Sequence, residues 1–170
     1  AIKQGEEEQA RRRQEAQEKS KKEDKGPGER AEARISNAEK IAIAQFFADI
    51  VNNKLEPVNK RVAAADALVE LGSSVPTQLL APLTERLIQD LNEVADTAWE
   101  LSAAAARLLG VIGNDQAKNG LLNYLDSIAK GNHPQLVVAH KDKSTYVRLV
   151  DVIRSAALSL ARLCARMYLD

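Results

Sequence analysis

The stretch Arg61–Gly72, RVAAADALVELG, recurs along the chain. A shift of 41 residues lands on Ser102–Gly113, SAAAARLLGVIG, and a further 51 on Ile153–Cys164, IRSAALSLARLC. In each copy an Ala pair (Ala64-Ala65, Ala105-Ala106, Ala156-Ala157) is followed three residues later by Leu68, Leu109 or Leu160. Three residues beyond that stand Leu71, Ile112 or Leu163. Self-similarity at this period marks one supersecondary unit repeated, and such a unit buries its apolar face only by stacking on its neighbours. Small Ala at two adjacent inward positions lets helices approach closely, and the following Leu fills the layer between repeats.

Composition agrees with packed helices. Of the 170 residues 45% are apolar but only 4% aromatic, so the core is Ala, Leu, Val and Ile. A sheet would want more aromatic and β-branched residues. The length suits one domain plus a tail. The tail is 1–34. From Glu6 to Lys25 nearly every residue is charged, Gln or Ala, with opposite charges at helical spacing (Glu7 with Arg11, Glu8 with Arg12) but no apolar stripe. It reads as a tether, a solvated helix or a disordered segment, with a hinge at Gly26-Pro27-Gly28.

The repeat domain, 35–170, divides into helices by its punctuation. Ser36 with Glu39 forms a capping box, and Ile41, Ile43, Phe46, Phe47, Ile50 and Val51 give a wide apolar face. A second helix runs from Pro57 to Leu71, with Gly72 where a left-handed cap is wanted. Leu79, Leu80, Leu83, Leu87, Ile88 and Leu91 supply the next stripe, in which Pro82 predicts a kink or a helix start. Asp96 is the expected N-cap of a helix to Val111, and 115–129 the next helix, with Leu121, Leu122, Leu125 and Ile128 inward. Gly131–Lys143, GNHPQLVVAHKDK, is a polar insertion. The last helix spans 144–168, apolar along Val147, Val150, Ile153, Ala157, Leu160 and Leu163. Six helices thus fall into three pairs, 37–72, 76–113 and 115–168.

The string Lys60-Arg61-Val62-Ala63-Ala64-Ala65-Asp66-Ala67-Leu68 resembles the second helix of HEAT-like repeats, of the short kind found in phycobilisome-lyase-type proteins, with Lys60 where those repeats carry Val. LLAPLTERLIQDL, including Pro82, is similar to their first helix. Copies two and three keep the Ala pair and Leu but lack the Arg. The resemblance covers 37–168 and implies an all-α, short right-handed solenoid of about three helix pairs. It implies a binding surface or scaffold, and an Arg61 that reaches neighbouring backbone or an acidic partner. A bilin-attachment lyase is the third reading that it suggests.

No catalytic constellation stands out. There is no Gly-rich phosphate loop, nucleophile elbow, HExxH or CxxC. His133, His140 and Asp142 sit together in the insertion but lack a further ligand at metal spacing, so they read as exposed loop residues. No metal or cofactor is expected. Cys164 reads as packing, and Trp99, aligned with Val58 and Val150, as core. Formal net charge is zero, 24 basic against 24 acidic residues, which gives no global attraction to nucleic acid or anionic membrane. No apolar run is long enough to span a membrane. The chain starts at Ala1 without Met, so a processed, exported chain or an anchor upstream stays open beside the favoured cytoplasm.

The repeat also assigns outward positions on the second helices: Asn59/Glu100/Asp151, Asp66/Arg107/Leu158 and Glu70/Val111/Arg162. Charge mixed with apolar Val111 and Leu158 is the composition of a protein-binding patch. The expectation is a non-enzymatic adaptor or structural subunit that binds another protein there. The alternative is a nucleic-acid-binding module using Arg148, Arg154, Arg162 and Arg166 of the last helix.

Overall fold

Ser36 opens the first described helix through the reciprocal bonds its context predicts. Its hydroxyl accepts from the Glu39 N–H at 3.2 Å, and the Glu39 carboxylate accepts from the Ser36 N–H at 2.7 Å. Its bonds from the Ser36 hydroxyl, and then from the Ser36 N–H, hold the Glu39 carboxyl below its ordinary pKa. The structure, a computed structural model, describes residues 35–169 except 73, 74 and 96. The charged segment 1–34 and its expected hinge lie outside the described residues.

Helix α1 is Asn37–Asn52 and α2 is Val58–Leu71. Gly72 closes α2 at φ 55°, and its N–H donates to the carbonyls of Leu68 and Val69. Helix α3 is Thr77–Leu91, and Pro82 neither starts nor ends it. Its ring sits on the exposed side, where the carbonyl left without an N–H can meet water. Helix α4 is Trp99–Ile112, two residues shorter at its start than an Asp96 cap implies. Asp96 itself lies outside the described residues, and Ala98 stands at the N-cap without a side-chain bond. Gly113 ends α4 in the left-handed region, φ 72° and ψ 18°, which a Cβ disfavours. Helix α5 is Asp115–Ala129, capped by Asn114, whose side chain accepts from the Ala117 N–H at 2.7 Å.

The insertion corrects the expectation of a polar loop. It folds as α6, Pro134–Ala139, with His133 as its N-cap. Helix α7 is Lys143–Leu169. Asp142 precedes it and accepts from the Ser144 hydroxyl, the Thr145 N–H and the Thr145 hydroxyl. Those bonds, in that order, pull its pKa down to about 2. No strand occurs among the described residues, and none of their helices is long and apolar enough to cross a membrane.

Ser36–Asp170 forms one compact unit. Contacts run within the pairs α1–α2, α3–α4 and α5–α7, and also from pair to pair. Helix α1 touches α3 and α3 touches α5; α2 touches α4 and α4 touches α7. Helix α4 is the hub, with ten of its fourteen residues buried, Trp99 among them. Its neighbours lie on nearly every side, which is why Ala103–Ala106 are all small.

Three inward faces need correction. On α1 the buried residues are Ala44, Ala48, Ile50 and Val51, while Phe46 is 61% exposed and Ile41 also faces out. Among the described residues helix α1 packs mainly on α2 and α3, which leaves Phe46 and Ile41 on its exposed side. On α5 Leu122 is exposed and Tyr124 is buried instead. On α7 the buried stripe is Leu149, Val152, Ala156, Ser159 and Leu163. Val147, Val150 and Ala157 face outward, while Ile153 and Leu160 lie at the margin.

Candidate functional site

Arg61 is spent on structure. It is 5% exposed, its Nε donates to the Val51 carbonyl at 3.0 Å, and its Nη2 donates to the Asp90 carboxylate. Arg86 Nη2 donates to the other Asp90 oxygen at 2.9 Å. Ser102, the repeat equivalent of Arg61, donates its hydroxyl to the Asp90 carbonyl at 2.8 Å. Two copies of the repeat therefore anchor on one α3 residue.

The nine positions that the repeat assigns outward differ in exposure. Asn59, Glu70, Glu100, Asp151, Leu158 and Arg162 are exposed, whereas Asp66, Arg107 and Val111 are half-buried. Asp66 and Arg107 bond to each other, Oδ1 accepting from Nη2 at 2.8 Å and Nε at 3.2 Å. The pair bridges α2 to α4 at matching repeat positions. The Arg107 and Asp66 side chains are 39% and 47% exposed, so the pair fixes orientation more than it stabilises.

Glu100, Arg107 and Asp151 come together in a cleft of about 510 Å³ between α2, α4 and α7. Val62, Trp99 and Ala103 contribute apolar surface to its lining, and Arg148, Arg154 and Ser155 line its α7 side. Asn59, Asp66, Glu70, Val111, Leu158 and Arg162 are not among its lining residues. Arg154 approaches Asp151 only to 3.9 Å, with both side chains exposed. The cleft thus offers both signs of charge around a small apolar floor, with Val62 half-buried and Trp99 and Ala103 almost wholly buried. Repeat alignment finds three of its charged residues. It misses Val62, Ala103 and Arg154, which hold one equivalent position in the three copies but differ in side-chain character, and Ser155 beside them.

A second cavity, about 400 Å³, lies between α3, α5 and the start of α6, with Asn92, Asn123, Tyr124 and His133 in its lining. His133 is buried, which corrects its reading as an exposed loop histidine; His140 is exposed. The His133 Nδ1 accepts from the Gln135 N–H at 3.2 Å, which leaves the ring proton on Nε2 to donate to Asn92 Oδ1 at 2.9 Å. Gln135, fully buried, donates from Nε2 to the Leu91 and Glu93 carbonyls at 3.0 and 2.7 Å, and its Oε1 accepts from the Tyr124 hydroxyl at 2.8 Å. Burial raises the Tyr124 pKa. The network has no unoccupied base or nucleophile. It fastens the insertion to the end of α3. Among the described residues no group of three or more His, Cys, Asp or Glu could hold a metal ion.

Burial lowers the His133 pKa below its ordinary 6.5. The unfolded chain then takes up this proton before the folded one does. Stability from neutral His133 is therefore fully present above pH 6.5 and is lost as pH falls below it. The urea midpoint of the wild-type chain is expected to drop more between pH 7.5 and 5 than that of His133→Gln. Equal drops would show that His133 is not the group responsible.

Comparisons with protein-family models, curated proteins and solved structures return no match.

Proposed function

We propose that this chain is a non-enzymatic protein–protein interaction module, an adaptor or structural subunit. Its three helix pairs stack as a short right-handed solenoid of HEAT-like repeats and take a protein partner on the face of α2, α4 and α7. The observation that carries this reading is the cleft in which Glu100, Arg107 and Asp151, three of the repeat-equivalent outward residues, meet beside Trp99 and Val62. The order of contacts, first helix to first helix and second to second, supports the stack. Glu100 and Asp151 beside Arg148 and Arg154 argue against a track for phosphates, which needs one sign of charge.

The test is recovery of a stoichiometric protein partner by the full chain, repeated with the double variant Glu100→Arg/Arg148→Glu. Both side chains are exposed, so circular dichroism is expected to stay unchanged. Partner recovery is expected to fall at least about tenfold, since like charges set against a rim cost on the order of 1.4 kcal/mol or more. Undiminished recovery by the variant sinks the cleft as the site. Salt-sensitive binding of DNA or RNA, lost on neutralising Arg154 and Arg162, would establish the nucleic-acid alternative instead.

A further inference from the structure

The insertion is held to the fold by neutral polar groups, and one of them takes up a proton in the range just below neutral pH. His133 is 5% exposed and stands at the N-cap of α6. A backbone N–H only donates, so the bond from the Gln135 N–H requires a bare, accepting Nδ1. The ring proton is then on Nε2, which donates to Asn92 Oδ1 at the end of α3. Both ring nitrogens are committed, and the closed arrangement fits the neutral ring alone. A further proton goes to Nδ1. It sets donor against donor at the Gln135 N–H and removes the cap. It also puts positive charge at the end of α6 where unpaired N–H groups gather.

The ring's neighbours offer that charge no partner. Its hydrogen-bond partners, Asn92 and Gln135, are neutral. From α5 the Tyr124 ring meets it edge to face, with centroids 4.9 Å apart, and burial keeps the Tyr124 hydroxyl protonated. The carboxylates nearest along the surrounding elements are engaged elsewhere. Glu93, after α3, accepts from the Val94 N–H; Asp126, on α5, pairs with Lys130; Asp142, before α7, accepts from Ser144 and Thr145. Beside His133, Gln135 bonds to the Leu91 and Glu93 carbonyls and to the Tyr124 hydroxyl. These bonds fix the first turn of α6 to α3 and α5. Helix α6 packs on α7 as well, a seat it keeps when that turn lifts.

We propose that His133 is an acid-operated catch: proton uptake at Nδ1 frees the first turn of α6 from α3 and α5 and opens the cavity of about 400 Å³ between them without unfolding the chain. The cavity shares no lining residue with the cleft of Glu100, Arg107 and Asp151, so the catch stands or falls separately from the partner-binding reading.

A released ring titrates near the ordinary 6.5, and burial holds the closed ring below it. The open form therefore gains up to tenfold per pH unit below 6.5, at most about 30-fold between pH 7.5 and 5. Amide hydrogen exchange of the full chain, corrected for its intrinsic pH dependence, reads the opening at Gln135 and Leu136, whose N–H groups bond to His133 Nδ1 and the His133 carbonyl. Their opening equilibrium is expected to rise about five- to 30-fold over that range. At both pH values they are expected to stay at least about tenfold less protected than the amides of α4, the mark of opening without unfolding. His133→Asn keeps a side-chain oxygen for the cap and has no proton to gain, so its opening is expected to change less than about twofold. Imidazole nitrogen shifts of the wild-type chain give a reading that needs no variant, with the proton on Nε2 and Nδ1 titrating below pH 6.5. An opening equilibrium indifferent to acid overturns the proposal. So does protection equal to that of α4, a His133→Asn chain that responds to acid like the wild type, or an Nδ1 that titrates at or above pH 6.5.

Discussion

Asp90→Ala is expected to cost about 3–5 kcal/mol of folding stability, read as a fall in the urea midpoint at an unchanged slope. Asp90 is 2% exposed and carries two guanidinium groups, that of Arg61, itself 5% exposed, and that of Arg86. The carboxylate is the one anion of this cluster, and its removal leaves two cations close together in a dry place. Neither has a full set of alternatives. Arg61 keeps the Val51 carbonyl, and Arg86 Nε is already buried without a partner. The loss is also spread over the fold, because Asp90 connects α2 to α3 and its carbonyl holds Ser102 of α4. Against a typical total of about 5–15 kcal/mol this is a large share. Arg86→Met separates the causes. It removes one cation and the unpartnered Nε while Arg61 still neutralises Asp90, so its expected cost is no more than about 1 kcal/mol. If both variants cost the same, packing rather than charge governs the cluster.

Much of this architecture is legible in the string of residues. Ser36 with Glu39, Gly72, Gly113 and Asn114 are local signals, and each acts on the few residues around it. Helix α1 accordingly begins after Ser36, α2 ends at Gly72, α4 ends at Gly113 and α5 begins after Asn114. Faces are less legible. Helix α7 carries apolar residues around most of its circumference, and two stripes on opposite sides fit helical spacing equally well. What selects Leu149, Val152, Ala156 and Leu163 is a residue on another helix, Gly110, which admits Ser159 at close range. Periodicity cannot see that choice. The insertion hid its helix for a related reason. His133 and Gln135 are polar residues that count as exposed until their partners are known, and those partners, Asn92, Leu91 and Glu93, lie 41 to 44 residues away. The cleft was half legible. Repeat alignment brings Glu100, Arg107 and Asp151 to one face, and Arg154 follows as the equivalent of Val62 and Ala103, but Arg148 joins it on the first turns of α7, which the other second helices lack.

Gly110→Val is expected to destabilise the fold by about 3 kcal/mol, and Gly110→Ala by about 1–2 kcal/mol. Helix propensity points the other way, since Gly inside a helix is worse than Ala by about 0.5–1 kcal/mol. The sign is therefore decided by space. A Cβ at Gly110 would lie 2.6 Å from Ser159 Cβ, 2.7 Å from its Oγ and 3.0 Å from its Cα. Because the backbone of Ser159 is itself this near, no rotamer change relieves the overlap, and α7 must move off α4. That movement would strain the bond from Arg166 Nη2 to the Gly110 carbonyl, now 2.6 Å, and open the layer under Leu163. Ser159→Gly tests the account. Alone it is expected to cost about 1 kcal/mol through helix propensity. Combined with Gly110→Ala it transfers the small residue from α4 to α7, so the pair is expected to cost less than the sum of the singles by about 1 kcal/mol or more. Additive costs in that cycle would mean that α4 and α7 are not held at this distance by Gly110, and that the buried face of α7 is selected elsewhere along its length.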